Sequence, residues 1–127
     1  DITVHELEAQ LSMISGTKVI LLETCHAGNF IDKGIGLKAF TDNSLDLLNK
    51  EGYQVLASSA GDEYTWYHGT YSYFCEALIG GCENLIADSN EDEIVDISEL
   101  HQYIKLNVTK QTAQIYPENS TFPIIEY

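Results

Sequence analysis

At 127 residues, 44% of them hydrophobic and 10% aromatic, the chain holds enough apolar material for one core and too little for two ordinary domains. Twenty Asp and Glu face six Lys and no Arg, a formal net charge of -14, so the surface disfavours nucleic acid as a partner and would steer a basic peptide instead. No apolar run reaches the roughly 18 residues of a membrane-spanning helix, and the amino terminus lacks the basic stretch and apolar run of a secretory signal.

Thr3 and Glu6 make a capping-box pattern, and Val4, Leu7, Leu11 and Ile14 recur at helical spacing, predicting a helix that stops at Gly16. Lys18 to Glu23 then reads as a strand. The order repeats: residues 37–50 are helix-like, Gly52 ends them, and Tyr53 to Ser58 reads as a second strand. Such alternation predicts an α/β layer with parallel strands. Tyr71 to Ile79 follows as a compact apolar helix ended by Gly80-Gly81. After an acidic loop, Ile97 to Lys110 is expected to form an amphipathic helix through Leu100, Tyr103, Ile104 and Val108. The tail from Gln111 carries both prolines and is expected to be irregular or an edge strand.

Two clear strands are few beside the usual five or six or so of a sheet. Residues 1–127 therefore read as one undivided unit, the second half of a larger domain. A start at Asp1 in place of Met fits a piece processed from a precursor. Cys25, Cys75 and Cys82 form no disulfide framework and no metal-type pair, which mildly favours a reducing, cytoplasmic compartment over secretion. Cys75 and Cys82 lie on an apolar segment and read as packing residues.

Cys25 differs from them. It follows the apolar strand directly, in Glu23-Thr24-Cys25-His26-Ala27-Gly28, where a small-residue turn lifts a side chain out of the sheet. A thiol in that place suits a nucleophile, and a buried structural cysteine is the alternative. The turn resembles the Asp-x-Cys-His-Ser-Gly pattern of metacaspases. Leu56 to Trp66 is similar to the strand and loop lining the caspase cleft, and the segment from Gly69 to Gly80 to the helix beneath it. Together these resemble the caspase-like cysteine peptidases, a family that includes metacaspases and bacterial caspase homologues, with clostripain and legumain more distant.

The resemblance implies the nucleophile-bearing, C-terminal part of a caspase-like α/β/α sandwich with a mainly parallel sheet. It implies a cysteine endopeptidase in which Cys25 attacks the peptide carbonyl and a His activates the thiol, with no cofactor required. In that family the His lies about 50 residues before the Cys, and only 24 residues precede Cys25 here. It is therefore expected on an upstream fragment of the same precursor, and His5, His26, His68 and His101 are not assigned the role. Glu23, on the same side of the strand as Cys25, matches the metacaspase acid that selects Lys or Arg before the scissile bond; a partly buried acid in an ion pair is the alternative. Ser58, Tyr64, Thr65 and Trp66 match substrate-binding positions in the cleft. A degenerate scaffold that binds a partner peptide or calcium, and cuts nothing, is the competing function.

Asp88, Asn90, Asp92, Ile94, Asp96 and Glu99 stand at positions 1, 3, 5, 7, 9 and 12 of an EF-hand-like loop, a spacing whose oxygens can wrap calcium. Glu93 occupies the sixth position, where glycine is usual, and no long helix enters the loop. The alternative is a solvated helix cap, with Asp96 or Ser98 meeting free N–H groups.

Overall fold

Aliphatic residues at Lys18–Leu22 and Tyr53–Ala57 form strands β1 and β2, which pair in parallel from Lys18↔Tyr53 to Leu22↔Ala57. The computed structural model describes residues 4–28 and 52–126; the helix expected over 37–50 and the cap expected at Thr3 lie outside them. A third strand, β6 (Gln114–Tyr116), runs antiparallel on the other side of β2 and makes the sheet order β1-β2-β6. The tail after Gln111 thus supplies an edge strand, and the sheet is mixed.

The period-two pattern of β2 sends its side chains to two different layers. Tyr53 and Val55 face Leu7 and Leu11 of helix α1 (Val4–Leu11), together with Ile20, Leu22 and Tyr116. Leu56 faces the opposite way, into the main core of Phe74, Ala77, Val95, Ile97, Leu100 and Ile104. Burial of a side chain such as Leu56, fully enclosed, contributes about 1.5–3 kcal/mol. On β1, Leu21 shares the Leu56 side of the sheet by register, yet Val19 and Leu21 remain exposed.

Helix α1 stops earlier than its periodicity predicts. The bonds from Met13 N–H to the Gln10 carbonyl and from Ile14 N–H to that of Leu11 tighten the chain into a turn, and Ile14 is exposed. The segment expected to open a helix at Tyr71 instead begins with a hairpin, β3 (Tyr67–His68) against β4 (Tyr71–Ser72). Helix α2 (Tyr73–Cys82) starts after it, capped by Ser72, whose Oγ accepts the Cys75 N–H at 2.9 Å.

Helix α2 runs through Gly80-Gly81 and does not end there. A Cβ on Gly81 would lie 2.8 Å from Leu100 Cδ1 and 2.9 Å from Tyr103 Cδ1, so this glycine allows α2 to approach helix α3 (Ile97–Asn107). Helix α3 in turn closes three residues before the expected Lys110, with the Val108 N–H bonded to the Ile104 carbonyl. Strand β5 (Ile94–Asp96), which leads into α3, pairs antiparallel with β7 (Pro123–Glu126). The molecule is a mixed α/β structure with helices on both faces of a small sheet, and none of its described helices is long and apolar enough to cross a membrane.

Candidate active site

Strand β1 ends at Leu22, and the next six residues turn over the end of β2. The turn is anchored by the carbonyl of Thr24, which accepts Thr65 Oγ1 at 2.8 Å and the hydroxyls of Ser58 and Ser59 at 3.3 Å each. Ser58 Oγ and Thr65 Oγ1 are themselves 2.7 Å apart. After Cys25 the chain donates three times in succession: His26 N–H to the Glu63 carbonyl, Ala27 N–H to Ser59 Oγ, and Gly28 N–H to the Ser59 carbonyl at 2.7 Å.

Two backbone features explain the residue types in this turn. His26 has φ of 61°, a left-handed conformation that turns the chain sharply and costs a non-glycine residue roughly 1 kcal/mol or more. Gly28 lies so close to the facing loop that a Cβ there would sit 2.7 Å from Gly61 N and 2.8 Å from the Ala60 carbonyl carbon. The turn is clamped to residues 58–63, and Cys25, a free thiol, is left exposed on it.

Glu23 and Cys25 both reach toward the β3–β4 hairpin. The negative charge of Glu23 holds the Tyr67 phenol above its ordinary value, burial and a hydrogen bond to Glu23 raise it further, and Cys25 adds to the effect. Three aromatic side chains of residues 64–67 are exposed, Tyr64 at 63%, Trp66 at 51% and Tyr67 at 58%; of these Tyr67 interacts with Glu23 and Cys25, and Tyr64 lies against His26. The expected site residues therefore separate into two groups. Cys25, Glu23, Tyr64 and Trp66 lie at the surface, whereas Ser58 and Thr65 are buried beneath it, with their hydroxyls committed to each other and to Thr24.

The described histidines have partners away from the thiol. His26 Nδ1 is 3.1 Å from the Gly61 carbonyl and its ring tilts against Tyr64 at 5.0 Å, placing it on the wall of the turn. His68 stacks on Tyr73. His101 is buried with Nε2 at 2.9 Å from the Ala113 carbonyl, and burial lowers its pKa. Cys82 packs against the main core and burial raises its thiol pKa, as suits a packing cysteine.

Sequence reasoning missed a strap that follows α3. Gln111, only 5% exposed, donates from Nε2 to the Ser58 carbonyl at 2.8 Å and accepts the Trp66 N–H on Oε1 at 2.7 Å. Next to it, Thr112 donates its N–H and its Oγ1 to the Glu63 carboxylate, which also accepts the Ala60 N–H. These bonds hold Glu63 below its usual carboxylate pKa, the Thr112 N–H being the largest cause. Lys110 lies over the Tyr73 ring at 4.8 Å and the Trp66 ring at 5.9 Å.

The acidic loop forms a second cluster, distant in sequence from Cys25. Ligand oxygens of Asp88, Asp92 and Glu99 lie within 4.8 Å of one another. Glu93 adopts φ of 68° at the sixth position, the conformation that glycine would supply there, and Glu91 has φ of 62°. Backbone amides fill many of the oxygens: Asp88 accepts from Glu91, Asp92 and Glu93, Asn90 from Asp92, and Asp92 from Ile94. Asp96 and Glu99 form a reciprocal cap on α3, in which Asp96 Oδ1 accepts the Glu99 N–H and Glu99 Oε2 that of Asp96. Ser98 instead bonds the Ser120 carbonyl. Helix capping is thus a structural role of Asp96 and Glu99, and Asp88, Asp92 and Glu99 make an acidic cluster with the oxygen chemistry that suits a hard cation. No family model matches the chain, and neither a curated protein nor a solved structure matches it.

Proposed function

We propose that the chain is the nucleophile-bearing part of a caspase-like cysteine endopeptidase. The observation that carries the reading is Cys25 itself, an exposed thiol at the end of a parallel strand, in a turn whose flanking amides and carbonyl are tied to the neighbouring strand end. A rigid support of this kind presents the sulfur at one place, which lowers the entropic cost of attack on a bound carbonyl. The thiolate adds to the peptide carbonyl, the Cys25 N–H stabilises the oxyanion, and a protonated imidazole delivers its proton to the leaving amine. Water then hydrolyses the acyl-enzyme. The reading assigns the imidazole to a histidine outside these 127 residues, on a segment that would also cover the exposed Val19 and Leu21 of β1.

Glu23 is the specificity residue in this scheme. Its carboxylate lies beside Tyr67 on the Cys25 side and would pair with a Lys or Arg side chain before the scissile bond, while Tyr64 and Trp66 offer apolar walls. The decisive assay uses the full precursor with peptide amides ending in Lys, Arg or Asp. Cleavage after Lys and Arg that vanishes in Cys25→Ala supports the reading; equal turnover by the variant sinks it.

A non-catalytic, calcium-binding scaffold is the second reading, favoured by the approach of Asp88, Asp92 and Glu99 oxygens within 4.8 Å. Asp88 and Asp92 would leave their amide partners in part to meet the ion, and Glu99 Oε1 would give up bonds it accepts from Ser89 N–H, Ser89 Oγ and Asn90 N–H. Titration calorimetry with calcium tests this site: heat that disappears in Asp92→Asn supports it, and no heat at millimolar calcium retires it.

A further inference from the structure

Gln111 touches neither the thiol nor the exposed aromatic wall with a reacting atom, yet it joins the two backbone segments that bracket the site. Its side-chain amide spans the Ser58 carbonyl and the Trp66 N–H, 53 and 45 residues away in sequence, and both of its polar ends are used. One end therefore fixes the strand end whose hydroxyl supports Thr24, and the other fixes the backbone of the aromatic wall. A glutamine buried to this degree, with one donor and one acceptor bond of good length, fits only one arrangement of the two segments. On either side, Lys110 lies over the Trp66 ring and Thr112 bonds Glu63, which adds two further attachments of the strap to the same segment.

We propose that Gln111 is a positioning residue that fixes the Trp66 backbone beside Thr65, whose hydroxyl anchors the turn before Cys25, and thereby shapes the subsite for the substrate's apolar side chains. The assignment of that subsite rests on the peptidase reading, but the placement of Trp66 does not. These 127 residues hold a single tryptophan, so the fluorescence of this chain reports Trp66.

The informative substitution is Gln111→Glu, which keeps the shape and the acceptor for Trp66 N–H but, when ionised, sets an oxygen against the Ser58 carbonyl. The protonated acid restores a donor there, and burial raises the pKa of such a carboxyl. In the folded parent, acrylamide quenching of Trp66 should be independent of pH between 5 and 8 or so. In Gln111→Glu it should rise at least about twofold at the upper end and return to the parental value at the lower end, with far-UV circular dichroism unchanged. Gln111→Leu should show the raised quenching at every pH, without rescue. In the precursor, KM for a peptide amide with an apolar side chain in that subsite should rise about tenfold in Gln111→Glu at the upper pH while kcat changes little. Parental quenching in folded Gln111→Glu across the range would overturn the proposal, as would quenching that is raised but pH-independent. If the pH-dependent rescue occurs and no Lys- or Arg-ended peptide is cleaved by the parent, Gln111 positions Trp66 and the peptidase reading fails instead.

Discussion

Thr65 donates its hydroxyl to the carbonyl of Thr24 across 2.8 Å, and that bond fixes the peptide unit immediately before Cys25. The same hydroxyl meets Ser58 Oγ, so a backbone carbonyl and a buried side chain both depend on it. Thr65→Val keeps the volume and removes the oxygen. It should lower stability by about 1–2 kcal/mol, as expected for a buried hydrogen-bonded group that leaves partners behind. Urea denaturation followed by circular dichroism checks this, and an unchanged midpoint would argue that the Thr24 carbonyl is held by Ser58 and Ser59 alone.

Gly28 packs against backbone, not against adaptable side chains, since the nearest atoms to an added Cβ belong to Gly61 and Ala60. Gly28→Ala must therefore push the Cys25 turn away from residues 60–61. Overpacking of this kind costs about 1–3 kcal/mol, and the Gly28 N–H bond to Ser59 stretches as the loops part. Thermal unfolding should shift down. If the precursor is a peptidase, its kcat should fall more than its affinity for substrate, because the thiol moves. Gly81→Ala is a useful contrast: it meets Leu100 and Tyr103 side chains, far along the chain from Cys25, and should destabilise without altering the reactivity of the thiol toward iodoacetamide.

Glu93 and Glu91 both hold positive φ without being glycine. Left-handed backbone of that kind costs a residue with a Cβ on the order of 1 kcal/mol. Glu93→Gly should therefore raise the unfolding free energy by a few tenths to about 1 kcal/mol, since the relief of strain is partly offset by the larger entropy of glycine in the unfolded chain. A chemical-denaturation comparison of the two proteins decides the sign; destabilisation would mean that the Glu93 side chain makes a contact worth more than the strain.

The local signals in the sequence were sufficient for part of this arrangement. The aliphatic runs at 18–22 and 53–57 identified β1 and β2, and the thiol after the first run identified Cys25 as exposed at a strand end. What escaped was set by contacts between distant residues. Gly80-Gly81 reads as a helix stop, but the need for α2 and α3 to pack closely keeps it inside the helix. Strands of two residues each, as at Tyr67–His68 and Tyr71–Ser72, are too short to show a period. Gln111 carries no local mark at all: in a polar tail it looks solvated, and only the Ser58 carbonyl and the Trp66 amide give it a buried role. Ser58 and Thr65 are expected to bind substrate, yet both are buried with their hydroxyls bonded to each other and to Thr24, because whether a hydroxyl lines a surface or supports it depends on the third dimension.

Acid should lower stability in two steps, each set by one group. Burial holds His101 below the ordinary imidazole value of 6.5, so the folded state prefers the neutral ring. Its contribution is complete above that value and is lost as pH falls through the lower folded pKa, because the unfolded chain then binds the proton more readily. Lys105 also opposes the charged ring, while the Ala113 carbonyl favours it. The Glu63 carboxylate is lowered from 4.5 by its Thr112 and Ala60 bonds, so its contribution is present above that pH and declines below it, in the same direction but at more acid values. Stability measured against pH should therefore fall first below about 6.5 and again below about 4.5. Glu63→Gln should reduce only the second step and His101→Gln only the first. Because Glu63 reaches Thr112 next to Gln111, the second step in the parent should bring a rise in Trp66 quenching by acrylamide; a flat Trp66 signal through that step would mean that the Glu63 link does not bear on the aromatic wall.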